Sequence, residues 1–346
     1  MNRTEEQGLR AELSGAEAQS SALSAQSLNQ APFYSGGRYL REQFPIRVFK
    51  IAINAGFTCP NRDGTSGEGG CTYCCNASFS PNSRGTRAPI AQQIADGMRF
   101  YRDRLQGEKF IIYFQAYTNT YGPLEHLRQL YDAALNFPDV VGLSIGTRPD
   151  CVPDPVLDLL AEYAKRTHLW LELGLESSHN QTLRGLNRGH TYAQFEDAVR
   201  RAHERALKVC AHVILGLPGE TRAMMLETAD RLAQLRAEGL KMHHLYVAKG
   251  SRLEHQYCGG DVRLLTLRDY VELACDFLER TPSDVVVQRL TGEVAEPYVV
   301  APHWGVTKLQ VIHQIREEFR RRGSRQGSRV KQVEAEAQVK EVMERT

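Results

Sequence analysis

The sequence predicts an α/β protein built as a partial (βα)6 TIM-like barrel with a small α+β extension at its carboxyl end. From Arg47 onward, short β-branched runs alternate with segments whose apolar residues recur at helical spacing, the pattern of βα units and a parallel sheet. The runs are apolar enough to indicate strands that helices cover. After Gly250 this rhythm changes to a helix, a strand and a second helix, which predicts the extension.

Six barrel strands are predicted in order along the chain. They cover residues 48–57, 109–117, 140–149, 168–177, 208–218 and 241–250. The helical segments between them cover residues 88–105, 122–135, 153–165, 191–207 and 220–239. In the extension, the pattern predicts a helix near 266–280, a strand at 284–290 and a helix from about 305 to 322.

The chain divides by composition into four segments. Residues 1–31 are rich in Ser, Ala, Gln and Glu and predict a mobile leader outside the fold. The barrel is expected over residues 32–255, the extension over 256–323 and a basic, charged tail over 324–346. The tail has little apolar content beyond scattered Val and Met.

Overall composition narrows the class of protein. The 346 residues are 42% hydrophobic and 24% charged, which is typical of a soluble globular chain. No apolar run approaches the roughly 18 residues of a membrane helix, and the first residues lack the apolar core of a secretory signal. We therefore expect a cytoplasmic protein without a membrane partner. The net charge of +2 does not by itself indicate a nucleic-acid partner.

Half of the cysteines lie in one loop. The stretch NAGFTCPNRDGTSGEGGCTYCC, residues 54–75, holds four of the eight and follows the first predicted strand, at the mouth where α/β barrels gather catalytic groups. In a reducing compartment, clustered cysteines are more often metal ligands or catalytic thiols than disulfides. Cys59, Cys71 and Cys74 have the spacing C-x11-C-x2-C, one ligand short of the four that usually hold an iron–sulfur cluster. An open coordination position would let such a site engage a substrate.

Two other interpretations of this loop stay open. Cys75 as a fourth ligand would make a structural zinc site, although adjacent ligands at 74 and 75 are awkward and no second C-x2-C pair is present. Redox or nucleophilic chemistry would not explain the glycines at 64, 67, 69 and 70, which let the backbone wrap around a bulky ligand. The remaining cysteines form no second motif and are expected to be buried packing residues: Cys151, Cys210, Cys258 and Cys275.

The motifs around the loop resemble those of the radical S-adenosylmethionine (SAM) superfamily. The C-x2-C pair with Tyr73 just before the last ligand is similar to its cluster loop, and the likeness is closest to the YhcC/YtqA-type branch, related to the radical domain of Elp3-like proteins. The likeness runs from about Phe33 to Gly323. It includes the stretches INAGFTCPNRDGT, YFQAYTNTYGP, IGTRPDC, GLES, LNRGHT, CAHVILGLPGE and APHWGVTK. This resemblance specifies a partial barrel of the radical SAM type.

The resemblance also implies cofactors and their ligands. Cys59, Cys71 and Cys74 would bind three irons of a [4Fe–4S] cluster, and the fourth iron would bind SAM. One electron, from a donor such as flavodoxin or ferredoxin, would cleave SAM to a 5′-deoxyadenosyl radical. Arg188 would hold the carboxylate of SAM. The implied cofactor-binding residues are Tyr73, Gln115, Ala116, Tyr117, Glu176, Arg188, His212, Ile214 and Leu215.

Each assignment has a plainer structural alternative. Residues 115–117 would equally suit strand-end packing, and Glu176 and Arg188 would suit an ion pair on the surface. A lone strand histidine such as His212 is more often structural than functional. Relatives carry a glutamate where Gly146 stands, so the cofactor contact made there is not expected in this chain. Three more histidines are expected near the mouth and are candidates to face a substrate: His190, His243 and His244.

Kinship with Elp3-like proteins makes RNA, modified at a tRNA wobble uridine, the expected substrate, and no DNA partner is expected. Residues 316–331 carry seven Lys/Arg against two Glu and would suit a phosphate backbone, with a solvated tail as the equal alternative. The arginines concerned are Arg320, Arg321, Arg322, Arg325 and Arg329. A small metabolite or a protein side chain is the alternative substrate, and a zinc-stabilised nucleic-acid-binding module is the non-enzymatic alternative.

Overall fold

The computed structural model describes residues 31–292 and 294–330. The predicted leader, apart from Ala31, and the tail beyond residue 330 lie outside the described residues. The strands are β1 Val48–Ile53, β2 Lys109–Phe114, β3 Val140–Thr147, β4 His168–Glu176, β5 Val209–Leu215, β6 Gly239–His244, β7 Val247–Ala248, β8 Val286–Arg289 and β9 Val299–Ala301.

The helices alternate with the strands along most of the chain. They are α1 Gly36–Gln43, α2 Asn76–Phe79, α3 Ile90–Leu105, α4 Leu124–Leu135, α5 Asp154–Ala164, α6 Asn180–Gly185, α7 Tyr192–His203, α8 Arg222–Leu235, α9 Arg252–Cys258, α10 Leu267–Glu279 and α11 Lys308–Arg322. Threonines begin several of them because a hydroxyl can accept a hydrogen bond from the first turn. Thr191 and Thr307 form complete capping boxes with Gln194 and Gln310 at the starts of α7 and α11.

A parallel sheet of seven strands curls into a half-barrel, in the order β1-β2-β3-β4-β5-β6-β8. All six predicted barrel strands are present, and each is parallel to its neighbours, which confirms the partial barrel. The strand predicted in the extension is also present, as β8, but it extends the barrel sheet by pairing with β6, with Gly239 beside Val286 and Lys241 beside Arg289. The extension therefore contributes to the barrel wall.

The outer face of the sheet carries the main apolar core. On β2, Phe110, Ile112 and Phe114 are fully buried beneath the helices. The ring of Phe114 meets the ring of Tyr131 on α4 edge-on, with centroids 5.1 Å apart. Burial of each such side chain contributes about 1.5–3 kcal/mol to stability. This layer holds the helices against the strands and fixes where the strand ends lie.

The end of the half-barrel at the amino ends of the strands is closed by α1. Tyr39 of α1 packs with Trp170, Cys210 and Val286 from three strands, and its ring centroid lies 5.6 Å from that of Trp170. The segment before α1 is fixed to the barrel edge, because the Val287 N–H donates to the Tyr34 carbonyl at 2.8 Å. Access to the interior is therefore from the carboxyl ends of the strands.

Residues 324–330, predicted as the start of the tail, pack against the fold. The side chain of Gln326 is buried and donates to the carbonyls of Pro282 and Val285, at 2.6 and 2.8 Å. Arg329 forms an ion pair with Glu279 at 2.8 Å. A search of the described residues for a membrane span found no helix with the length and apolarity to cross a bilayer.

Candidate active site

The carboxyl ends of the strands open into a cavity of about 180 Å³. Nine of the twelve predicted site residues line it: Cys59, Cys71, Tyr73, Cys74, Gln115, Tyr117, Glu176, Arg188 and His212. They come from the loop after β1, the ends of β2 and β4, the loop before α7 and the middle of β5. The fold therefore assembles in one place residues that are far apart in sequence.

Local backbone geometry bends the cysteine loop back on itself. The Cys74 N–H donates to the Cys71 carbonyl at 3.0 Å, which closes a turn between the last two cysteines. Before this turn, Gly69 and Gly70 have φ of 73° and 76°, a left-handed conformation that residues with a Cβ seldom adopt. These two glycines set the bend that returns the chain toward Cys59.

Hydrogen-bond donors point at two of the three sulfur atoms. Asn61 Nδ2 lies 3.6 Å and Arg188 Nη1 lies 3.7 Å from Cys71 Sγ, and Asn76 Nδ2 lies 3.9 Å from Cys74 Sγ. Donors and a cation beside sulfur favour the thiolate, the form that binds metal. Burial and the neighbouring Cys71 raise the pKa of the Cys74 thiol to about 11, so iron has to displace its proton on binding.

This donor set fits an iron–sulfur cluster better than a single zinc ion. Three thiols facing one cavity, with N–H groups directed at sulfur, are what a cluster held by cysteines requires, and each thiolate binds its own iron. In residues 31–292 and 294–330, no group of three His, Cys, Asp or Glu side chains is placed to hold one metal ion. Cys75, the fourth ligand in the zinc interpretation, precedes α2 and is not on the cavity lining.

Glu176 and Arg188 form a buried pair inside the cavity. Arg188 Nη2 lies 3.4 Å from Glu176 Oε1 and donates to the Gly174 carbonyl at 2.8 Å. Burial raises the pKa of the Glu176 carboxyl, and the charge of Arg188 opposes that rise. Glu176 has φ of 70°, a strained conformation for a residue with a Cβ. The alternative of a surface ion pair does not describe this geometry, because both side chains are about nine-tenths buried.

The Arg188 guanidinium has unused hydrogen-bonding capacity. Its Nε is buried and lacks a hydrogen-bond partner among the described residues, a costly state unless a ligand accepts that bond. Space for the pair depends on Gly174, because a Cβ there would lie 2.7 Å from Glu176 Oε1. The arrangement can therefore receive an anionic group such as a carboxylate.

Three predicted contacts do not lie on the cavity lining: Ala116, Ile214 and Leu215. For Leu215 the physical reason is the alternation of side chains along β5, on which His212 faces the cavity. Ala116 lies in the bend after β2, between Gln115 and Tyr117, and is fully buried. Leu215 lies in the main apolar core, and Ile214 packs in a second apolar cluster with residues such as Leu217 and Leu245.

Arg148 lines the cavity and is not among the predicted residues. It is 2% exposed and makes a two-pronged ion pair with Asp150, at 3.0 and 2.8 Å. Its Nη1 donates to the Arg188 carbonyl at 2.6 Å, so it fixes the backbone beside the Glu176 pair. The sequence signal was the TRPD stretch at the end of β3. At Gly146 on the same strand, a Cβ would lie 3.1 Å from the Phe114 carbonyl, so a larger residue there requires the neighbouring backbone to move.

A second unpredicted feature is an inner charge layer on the cavity side of the sheet. Its residues are Lys50, Ser144, Glu172, His212 and Lys241. Glu172 is fully buried and accepts hydrogen bonds from Lys50 at 3.1 Å, from His212 at 2.8 Å, and from Lys241 and Ser144. Although burial alone would raise it, Lys241 and Lys50 hold the pKa of Glu172 well below its ordinary value. The layer lies deeper than the cysteine loop.

The other candidate histidines have different surroundings. His190 is buried, with Nε2 3.1 Å from the Gly174 carbonyl; burial and repulsion from Arg188 lower its pKa to about 2, so it stays neutral. His243 lines the cavity. His244 packs against Trp304 of the extension, with ring centroids 4.1 Å apart and the ring planes tilted by 39°, and is not on the lining.

Most of the predicted RNA-contacting arginines are engaged in ion pairs. Arg320 pairs with Glu317, Arg321 with Glu318 at 2.8 Å and Arg329 with Glu279 at 2.8 Å. Arg322 forms ion pairs with Glu318 and Asp276, each at 2.6 Å. These partners reduce the net positive charge of the stretch, so it is not the free basic stripe that the sequence suggests.

Comparisons with known proteins agree with this geometry. Residues 53–232 match the sequence model of the Radical SAM superfamily, and residues 237–321 match that of the Radical_SAM C-terminal domain. The protein YtqA of Bacillus subtilis is 42% identical over 300 residues, which cover 86% of this chain and 93% of YtqA. Human Elongator complex protein 3 is 28% identical over 163 residues, 46% of this chain and 29% of that protein. The structure of Methanocaldococcus infernus Elp3 with an N-terminal deletion shares the fold, with a TM-score of 0.62 at 17% identity over 81% of this chain and 65% of that one.

Proposed function

The chain belongs to the radical SAM superfamily and is an enzyme of that superfamily, and from this premise we propose that it binds a [4Fe–4S] cluster and SAM in the cavity to modify RNA at a tRNA wobble uridine. The observation that carries the cofactor part is the meeting of Cys59, Cys71 and Cys74 on one cavity, with N–H donors directed at the sulfur of Cys71 and Cys74. Cys75 is not a ligand in this proposal.

Reductive cleavage of bound SAM to a 5′-deoxyadenosyl radical is the chemistry that such a cluster supplies. The protein has to orient SAM, keep water out and offer no stray hydrogen atom to the radical. Closure of the barrel base by α1 serves the second task, because Tyr39 packs against Trp170 at the amino ends of the strands. The apolar core behind the strands keeps the lining residues in place.

Arg188 and Glu176 are the proposed contacts for the amino-acid part of SAM. A guanidinium with a free buried Nε suits the carboxylate of SAM, and the neighbouring carboxylate suits its ammonium group. The aromatic rings of Tyr73 and Tyr117 and the amide of Gln115 complete the proposed cofactor wall. Arg148 acts as a positioning residue, because it holds the Arg188 backbone and does not contact the cofactor in this proposal.

The RNA part of the proposal rests on kinship with Elongator complex protein 3, which matches less than half of this chain. The tail arginines add no support, because carboxylates occupy most of them. A small metabolite or a protein side chain is the competing substrate. A one-electron donor such as flavodoxin or ferredoxin completes the proposed reaction.

The first experiment tests substrate class. Transfer RNA from cells with and without the gene is digested to nucleosides and compared by mass spectrometry. We expect one wobble-uridine nucleoside to change, and purified enzyme with SAM and a reductant should restore it in vitro. Identical nucleoside profiles, together with SAM cleavage by the purified enzyme, would reject the RNA substrate and favour the metabolite or protein alternative.

The second experiment tests the cofactor wall. Arg188→Gln should weaken SAM binding roughly 10- to 100-fold, because a charge-assisted hydrogen bond contributes about 1.5–3 kcal/mol. Iron content should stay at that of the parent. Arg184→Gln, four residues earlier in α6 and outside the cavity lining, is the control and should bind SAM as the parent does. Parental affinity in a cluster-loaded Arg188→Gln protein would remove Arg188 from the SAM site.

A further inference from the structure

Arg289 brings to the cavity a positive charge that has no ion-pair partner among the described residues. It ends β8, beside Lys241 of β6, and lines the cavity. Its Nε is buried and has no hydrogen-bond partner, and no carboxylate of the described residues forms an ion pair with it. Every other arginine on this lining has a polar partner: Arg62, Arg148 and Arg188.

The carboxylates of the cavity are already engaged. The two on the described part of the lining are Glu172 and Glu176. Glu172 pairs with Lys50, Lys241 and His212 in the inner charge layer, and Glu176 pairs with Arg188. Lys50 and Lys241 thus share one carboxylate, and Arg289 adds a guanidinium without an ion-pair partner among the described residues.

The neighbouring side chains respond to this excess of positive charge. Burial and then repulsion from Arg289 lower the pKa of His244 to about 4 and hold that of His243 well below its ordinary value. Both imidazoles are therefore neutral and add no further charge. Lys241 has one oxygen partner, Glu172, and its Nζ otherwise lies over the Tyr113 ring, 4.0 Å from the centroid.

We propose that Arg289 forms the core of an anion-binding subsite that takes a carboxylate or phosphate group of the substrate. The proposal rests on the proposed function, because it assigns to the substrate the part of the cavity that the SAM residues leave free. The guanidinium fork matches either oxyanion with two parallel hydrogen bonds. Lys241, on the adjacent strand, is buried and off the cavity lining, so it lies beneath the subsite.

The position of the subsite suits a substrate group. The proposed cofactor residues lie on the cysteine loop, just after β2, at the end of β4 and in the loop before α7, whereas Arg289 lies on β8 at the other edge of the sheet. Gly292 keeps this side open, since a Cβ there would lie 3.3 Å from the Tyr246 ring and 3.6 Å from the His243 Cβ. The extension, through β8, thereby takes part in substrate choice.

The test measures anion binding by the cluster-loaded enzyme with SAM present, without RNA or turnover. Acetate and inorganic phosphate are titrated in separate arms, and the melting temperature under anaerobic conditions reports binding. The parent should be stabilised in a saturable way, and Arg289→Gln should need roughly ten-fold more anion or more. Arg268→Gln is the matched control, because Arg268 is 88% exposed on α10, and it should respond as the parent does. A stronger response to acetate identifies a carboxylate, and a stronger response to phosphate identifies a phosphoryl group.

Two results would overturn the subsite: no saturable response of the parent to either anion, or a parental response in Arg289→Gln. If Arg289→Gln loses its cluster, Arg289→Lys is tested in its place. This variant keeps the positive charge but loses the forked guanidinium, so it should bind the anion several-fold more weakly. Formation of 5′-deoxyadenosine by the parent, measured in the same preparation, separates the two proposals. A parent that cleaves SAM but binds neither anion rejects only the subsite, whereas failure to cleave SAM rejects the proposed chemistry whatever the anions do.

Discussion

The two faces of the barrel sheet have opposite chemistry. On β4, Leu171, Leu173 and Leu175 point outward into the apolar core, whereas Glu172 and Glu176, on the same strand, line the cavity. Neighbouring residues of one strand therefore have different roles. The outer face holds the fold together by excluding water, and the inner face keeps charges and thiols in a fixed arrangement at a cost in stability. Substitutions on the two faces should separate loss of chemistry from loss of fold.

The largest effect is expected at the cavity mouth, where one atom decides whether a cofactor binds. Cys71→Ala should abolish binding of the cluster, because two thiols remain where three are proposed. Iron and sulfide content after anaerobic reconstitution measures this. Cys75→Ala is the matched control, since the Cys75 side chain is four residues further along the chain and off the lining, and it should keep a full cluster. Loss of iron in Cys75→Ala alone would reverse the ligand assignment.

The next effect is on the outer face and concerns stability. Phe114→Ala should lower the free energy of unfolding by about 3–5 kcal/mol, because it leaves a cavity beside the Tyr131 ring in a layer that is fully buried. Anaerobic denaturation of both proteins measures the difference. Phe100→Ala, on the exposed side of α3 with 49% of the residue accessible, should cost less than about 1 kcal/mol. Equal losses in the two variants would contradict the division between core and surface.

The buried charges of the inner face should make the free energy of unfolding depend on pH. Lys241 keeps its proton in the unfolded chain up to its ordinary pKa of 10.5, but burial lowers its pKa to about 7 in the fold, despite attraction from Glu172. Between these values the unfolded chain binds more protons, so stability should rise with pH by up to about 1.4 kcal/mol per unit. Lys241→Met should flatten this rise.

Unfolding measured from pH 7 to pH 10 tests that expectation by the difference between variant and parent. Lys249→Met, which removes an exposed lysine just beyond β7, should keep the parental slope. A slope in Lys241→Met as steep as in the parent would mean that Lys241 stays charged in the fold, with Glu172 balancing it.

These contrasts also explain what the sequence could and could not predict. The strands and helices were predictable because apolar spacing reports burial on the outer face, and the cysteine loop was predictable because its spacing and glycines are local. The inner charge layer was not predicted, since Lys50 and Glu172 stand as single polar letters within apolar runs. Only the fold shows that β1 and β4 bring Lys50 and Glu172 together on the cavity side of the sheet.

Two further differences between the prediction and the structure have the same origin. Leu215 was grouped with Ile214, its neighbour in sequence, although alternate side chains of a strand face opposite ways. Arg289 was not singled out because its place in the cavity depends on the pairing of β8 with β6, a contact between distant parts of the chain. The distribution of ion pairs on α11 was hidden for a similar reason, because Asp276 and Glu279 belong to α10.

The smallest effect is expected on α11, where the same contrast between packed and exposed charges recurs. Arg320 and Arg321 are each 71% exposed and pair with glutamates one turn away, so replacing both with Gln should change the free energy of unfolding by less than about 1 kcal/mol. Arg322→Gln is the packed counterpart, because Arg322 is 16% exposed and bonded to carboxylates of both helices, and it should destabilise the protein more.

The same double variant of Arg320 and Arg321 also tests RNA binding. Its tRNA affinity and the salt dependence of that affinity should equal those of the parent, because glutamates already balance the two charges. A weaker affinity with a salt slope reduced by roughly one per arginine would show that both residues release the glutamates and follow the phosphate backbone.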